Sequence, residues 1–253
     1  YSANSTLEVI TLENGKIVDL DVIKLPMAEK VKSISWSPNG KQFAYTTDNE
    51  IIVREGRYEV DNFRTPGINS AISWGESGIV YSDNVGVQLI NVKARTKELF
   101  ASKASMPIWS PDGTKLAANL NNDNVAIYNS DGTQKISTKG SLLSWSNGSG
   151  MIAVARDKSL VEVDTNSGEF ELVHKLKDKP TSASFFYWNF IAYVANGKAG
   201  IIDIGGNNII EIKISDEAKN VKWVGNSGWL AIETSKGIEF VYFQDIQKPT
   251  PKT

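Results

Sequence analysis

Apolar and polar positions alternate along this chain in short runs separated by turn signals. No stretch of useful length has the three-to-four spacing of an amphipathic helix. One phrase recurs: "SWSPNGKQFAY" (Ser35 to Tyr45) returns as "IWSPDGTKLAA" (Ile108 to Ala118) and as "SWSNGSGMIAV" (Ser144 to Val154). Its aromatic residue serves as an anchor, giving Trp36, Trp74, Trp109, Trp145 and Trp223, with a double-length gap before the last. "SASFFYWNFIAYVANG" falls in that gap, and Phe186 takes the missing place. The chain is therefore read as six units of about 37 residues.

Each unit repeats one order of events. A β-prone run ends at the anchor, as in Val31 to Trp36. A turn such as "SPNG", "SPDG" or "VGNSG" follows, with Pro, Asn, Asp and Gly supplying the backbone angles that tight turns need. A second apolar run carries an alanine eight residues after the tryptophan in four units (Ala44, Ala117, Ala153, Ala231), which predicts close approach of a neighbouring sheet. Third runs ("IIVRE", "VAIYN") and fourth runs ("YEVDNF", "FELVH") complete four strands per unit. One such sheet cannot bury both faces alone, whereas sheets set side by side around an axis can. The expected architecture is all-β: a six-bladed β-propeller of four-stranded antiparallel blades in one domain over residues 1–243. Its blades start near residues 31, 69, 104, 140, 181 and 218. The last unit has only three strands. An N-terminal pair over residues 6–25, joined at Asn14-Gly15, offers the strand Lys16 to Leu25 to complete that blade and close the ring. The strand Thr6 to Glu13 is then surplus, and residues 244–253 have the composition of a flexible tail.

Composition narrows the chemistry. At 41% hydrophobic, 253 residues can bury a core without cross-links. The absence of cysteine excludes disulfides, thiolate metal sites and a cysteine nucleophile. A net charge of −2 and a pI near 5.6 offer no global field for nucleic acid or an anionic membrane. The cluster "HKLKDKP" (His174 to Pro180) mixes signs and reads as a solvated loop. No apolar run reaches the roughly 18 residues of a membrane span. The chain begins at Tyr1 and ends in a Pro-containing tail, so a leader, an anchor or a further domain outside it is expected, with an extracytoplasmic setting preferred over a cytoplasmic one.

"WSPDGTKLAA" and "WSPNGKQFAY" resemble the PD40-type, WD40-like repeat of the TolB-like six-bladed propellers, seen also in propeller domains of tricorn-type and prolyl-oligopeptidase-type proteases. The resemblance runs from about Val31 to Phe243 and is weakest in the second and fifth units; the Gly-His and Trp-Asp pairs of WD40 repeats are missing. It implies a fold that hosts many functions, among them binding scaffolds and substrate-gating modules.

Candidate chemistry is sparse. His174 is the only histidine and lies in a fourth, outermost strand, where a solvent-edge role is expected rather than a triad. One His and no Cys argue against a zinc site. The five arginines (Arg54, Arg57, Arg64, Arg95, Arg156) fall outside the inner strands. Those inner strands carry Ser35, Ser73 and Ser144 just before their anchors, which predicts a polar but acid-poor channel. No catalytic, cofactor or metal constellation is read. The regular tryptophans are blade-packing anchors. The fifth unit departs from the phrase, and Tyr187 and Trp188 stand in its turn as candidate partner contacts, joined by Arg64 in "RTPGIN" and Met106 in "KASMP". The function expected is a non-enzymatic protein-binding scaffold, part of a larger envelope or extracytoplasmic assembly. The alternatives are a propeller hydrolase of sugars or esters and a gating domain of a protease.

Overall fold

The structure, a computed structural model, describes residues 6–13, 16–24, 31–186, 189–204, 208–225 and 227–243. The chain divides into two compact units, Tyr1–Thr138 and Lys139–Thr253.

In the first unit, β1 (Thr6–Glu13) and β2 (Lys16–Lys24) pair antiparallel as a sheet of their own. Three four-stranded antiparallel sheets follow. The first holds β3 (Ser33–Trp36), β4 (Phe43–Thr46), β5 (Glu50–Glu55) and β6 (Tyr58–Arg64). The second holds β7 (Ser73–Gly75), β8 (Gly78–Ser82), β9 (Gly86–Asn91) and β10 (Thr96–Ser102). The third holds β11 (Ala104–Trp109), β12 (Lys115–Leu120), β13 (Asn124–Asn129) and β14 (Gln134–Lys139). In the second unit, β15 (Ser141–Trp145), β16 (Met151–Arg156), β17 (Ser159–Asp164) and β18 (Phe170–Lys175) form one sheet. β19 (Pro180–Phe186), β20 (Phe190–Ala195), β21 (Lys198–Asp203) and β22 (Asn208–Ile212) form the next. β23 (Ala218–Trp223), β24 (Trp229–Thr234) and β25 (Ile238–Tyr242) form a sheet of three.

In the four-stranded sheets the middle strands are largely buried on both faces and the outermost strands are half exposed, which is why their second and third runs are almost wholly apolar. Ala44, Ala117 and Ala153 are fully buried at the fixed place noted in the sequence, where a larger side chain would hold neighbouring sheets apart. The strand Lys16–Lys24, expected to complete the last blade, has β1 as its partner among the described strand pairs. On the other side, Ile23 of β2 is buried against Phe43, Tyr45 and Ile52 of the first four-stranded sheet, the contact a preceding blade would make.

The recurrent phrase ends in one repeated device. Ser37 Oγ donates to Asn39 Oδ1 at 2.9 Å and accepts from the Gln42 N–H at 2.9 Å, while the Gly40 N–H donates to the Ser37 carbonyl at 2.9 Å. Ser110, Asp112, Gly113 and Lys115 make the same set, with Ser110 Oγ to Asp112 Oδ1 at 2.6 Å and Lys115 N–H to Ser110 Oγ at 3.0 Å. Gly40 and Gly113 both have φ of 69°, a left-handed conformation that glycine adopts without steric cost. "Ser-Pro-Asx-Gly" is therefore a hairpin whose side chains satisfy its own backbone. No helix among the described residues is long and apolar enough to cross a membrane.

Candidate functional site

The inner strands reassign the serines that were expected to line a channel. Ser35 Oγ accepts the Trp74 N–H at 3.0 Å and Ser33 Oγ accepts the Ile72 N–H at 3.1 Å, so β3 is laced to the first strand of the next sheet. Ser73 Oγ accepts the Trp109 N–H at 3.0 Å. In the second unit Ser184 Oγ accepts the Trp223 N–H at 3.1 Å and Ser182 Oγ the Val221 N–H at 3.2 Å. Sequence reading missed this role; the serine preceding the anchor, or standing two residues before it in β19, was its visible signal. Ser144 departs from the pattern: its Oγ is buried with no partner.

Four of the anchors, Trp109, Trp145, Phe186 and Trp223, are buried. Trp109 lies on Gly75 of the preceding sheet, where a Cβ would come within 2.7 Å of its ring, and its Nε1 donates to the Gly78 carbonyl at 3.0 Å. Phe186 stacks on Trp223 with ring centroids 4.4 Å apart, filling the missing tryptophan's place with a flat ring. Trp74 is half-buried. Trp36, expected to be buried as well, is 49% exposed and touches Phe43 at 5.3 Å between centroids. Within its own unit no four-stranded sheet precedes it.

The partner candidates separate by sheet end. Tyr187 and Trp188 lie outside the described residues, in the link between the first and second strands of their sheet. Arg64 and Met106 stand at the other kind of sheet end, where second strands turn into third strands and one sheet passes to the next. Arg64 is exposed and closes β6, opposite Glu50. The loop after it is pinned from below by buried Thr65, Ile68 and Ile72. Ser82, the last residue of β8, joins this loop to Met106. Its amide donates to Ser70 Oγ at 2.8 Å, its hydroxyl donates to Asn69 Oδ1 at 2.9 Å, and the same hydroxyl accepts the Met106 N–H at 3.4 Å. Asn119 Nδ2 approaches Met106 Sδ at 3.6 Å.

Met106 sits in a bulge of β11 with φ of 51°, a left-handed conformation that costs a non-glycine residue about 1 kcal/mol or more. Its side chain is 54% exposed, and Val85, in the neighbouring turn whose carbonyl accepts the Lys103 N–H at 3.1 Å, is 60% exposed. Two apolar side chains are thus held outward on a hydrogen-bonded loop frame.

His174 lies on β18, the outermost strand of its sheet, and is half-buried there. It lines an open groove of about 480 Å³ in the second unit with Glu162, Glu171, Leu172 and Ile204. Glu162 and Glu171 are direct cross-strand partners on β17 and β18. Burial, with Glu171 adding its charge, holds the Glu162 carboxyl above the usual glutamate range. Among the described residues no group of three or more His, Asp and Glu side chains is placed to hold a metal ion.

No protein-family model matches the chain, and no curated protein matches it in sequence. Solved structures do match in fold. A chain of the crystal structure of the Mitotic Checkpoint Complex superposes with a TM-score of 0.76 at 14% identity, covering 94% of this chain and 82% of that one. The Myceliophteria thermophila Cps50 (Swd1) β-propeller domain superposes with a TM-score of 0.74 at 13% identity, covering 93% and 88%. Together with the six successive antiparallel sheets from β3 to β25, these likenesses show the fold of the chain to be an all-β, six-bladed β-propeller with four-stranded antiparallel blades.

Proposed function

We propose that this propeller is a non-enzymatic protein-binding scaffold that meets its partner through the loop ends of the first unit. The observation that carries the reading is Met106. A strained backbone presents its exposed apolar side chain beside exposed Val85, and a network through Ser82, Asn69 and Ser70 fixes the frame. A preformed apolar contact of this kind loses little side-chain and loop entropy on association. One of the similar solved chains comes from a multi-protein complex, which supports the same reading. The TolB-type subfamily and an extracytoplasmic setting belong to this proposal, supported by the "WSPDG" and "WSPNG" phrases.

The test is Met106→Gly together with Val85→Asp in a pull-down from the source cells. Glycine relieves the strain, so the fold survives. The expected result is a specific partner retained by the wild type and by a Tyr58→Ala control but lost by the double variant. Equal retention by all three removes this face from consideration.

A second reading has its own observation. Two facing carboxylates, one with its carboxyl raised above the ordinary glutamate range, in a groove that a histidine also lines, are a composition that acid–base hydrolysis of sugars or esters uses. Turnover of chromogenic glycosides or esters that disappears in both Glu162→Gln and Glu171→Gln would establish it. Turnover absent in the wild type, or surviving both changes, dismisses it.

A further inference from the structure

The cluster "HKLKDKP" changes meaning once the fold gathers its neighbours. In the second unit, the ends of the first two sheets where second strands turn into third strands, together with Lys139 at the close of β14 leading into them, gather six exposed lysines: Lys139, Lys158, Lys175, Lys177, Lys179 and Lys198. Backbone and side-chain bonds tie these segments together. Arg156 Nε donates to the Lys139 carbonyl at 2.8 Å, and the Leu176 N–H donates to the Lys158 carbonyl at 2.7 Å. Asn196 Nδ2 donates to Asp178 Oδ2 at 3.4 Å, which brings the turn before Lys198 against the segment that carries Lys177 and Lys179. The carboxylates among them are Asp157, Asp178 and Glu217, so these lysines outnumber the carboxylates two to one. None of the six lysines makes an ion pair among the described residues, and Asp216 nearby is already engaged by Lys236 at 3.3 Å and by Ser235 Oγ at 2.6 Å. The opposite ends of the same two sheets carry Asp164, Glu169 and Asp203 and no described cation. The near-neutral total charge conceals a segregated one.

We infer that this lysine-rich loop end of the second unit is a docking surface for an acidic, Asp- or Glu-rich segment of a protein partner. The inference deepens the scaffold reading, on which it rests, by naming a partner chemistry. Three features favour a short acidic segment over nucleic acid. Arg156, the one arginine at this end, is committed elsewhere: its guanidinium lies 3.9 Å over the Phe170 ring and its Nε is bonded to a carbonyl, so bidentate phosphate recognition is not on offer. The exposed aromatics among the described residues of the second unit are Phe170, one face of which the Arg156 guanidinium already covers, and Phe240 of the last sheet, so no described run of free rings offers successive bases a stacking platform here. Finally, the patch is bounded by carboxylates in a chain of net charge −2, so a polyanion much longer than the patch meets repulsion beyond it.

The test uses the whole chain and a fluorescein-labelled Glu/Ser peptide of about a dozen residues, read by anisotropy, against a single-stranded oligonucleotide of matched charge. The peptide is expected to bind at low salt and to weaken severalfold at about 0.3 M salt, where the screening length is only a few ångström. Replacing Lys175, Lys177 and Lys179 by Glu should weaken it at least tenfold, and the milder set Lys158→Gln with Lys198→Gln should weaken it about two- to fivefold. Lys41→Glu with Lys93→Glu, in the first unit, should leave it unchanged. No peptide binding at low salt overturns the inference, as does binding that ignores the second-unit changes, or an oligonucleotide that binds more tightly through the same lysines. Peptide binding that survives Met106→Gly and Val85→Asp while the pull-down partner of the wild type never appears would sink the Met106 reading alone. A pull-down partner retained by the triple lysine variant would sink the lysine surface alone.

Discussion

Ser35 and Ser144 precede their tryptophans in the same phrase, yet the structure gives them different work. Ser35 accepts an amide N–H from the next sheet; the Ser144 hydroxyl is buried without a partner. Ser35→Ala leaves the Trp74 N–H unsatisfied and should cost about 1–3 kcal/mol, with Ser184→Ala behaving alike toward Trp223. Ser144→Ala removes an already unpaired hydroxyl and should be neutral or slightly stabilising. Urea titration of the three variants checks this, and equal losses would refute the assignment. At the Trp109 contact, Gly75→Ala forces a methyl into the indole and should cost about 1–3 kcal/mol by overpacking. Trp109→Ala should cost about 3–5 kcal/mol by leaving a cavity. The double variant should cost less than the sum, because the two changes share one contact.

At the scale of elements, the strand pair β17–β18 carries a built-in conflict. Glu162 and Glu171 face each other across it, and like charges opposed in a sheet are destabilising. Because the folded Glu162 carboxyl is raised above its unfolded value, its favourable contribution exists below the ordinary glutamate range and disappears as pH rises through the raised value. The ionised pair therefore weakens the protein at neutral pH. Glu162→Gln should raise the melting midpoint at pH 7 by about 1–3 °C. The gain should vanish near pH 3, where both carboxyls are protonated. A gain that persists at low pH would point to packing rather than charge. The alternation of residues in "LVEVD" and "FELVH" places each glutamate on a strand, but the facing of the two depends on register, which a slip of one residue would abolish.

For the molecule as a whole, net charge is a poor guide to behaviour. A chain with a pI near 5.6 is expected to ignore a cation exchanger at pH 7. The segregation of lysines to one end of two neighbouring sheets predicts weak retention there, released by modest salt and abolished when Lys175, Lys177 and Lys179 become Glu. Flow-through of the wild type would contradict it. Chromatography at this scale reports only the field, so it complements the peptide titration without replacing it.

The sequence alone determined the repeat, the number of strands in each unit and the exit turn. All three are local: period-two alternation selects strands, and Ser, Asx and Gly satisfy a hairpin within a few residues of themselves. Phe186 as the stand-in anchor was legible for the same reason, since spacing alone names it. Tertiary structure decided what those residues meet. It turned the serines of the inner strands from a channel lining into ties between sheets, left Trp36 half exposed, placed Glu162 against Glu171 and drew six lysines from four segments to one surface. These outcomes depend on which sheet ends come together across dozens of residues, and they are settled by sheet register and by the packing of one sheet on the next, information that no short window of sequence contains.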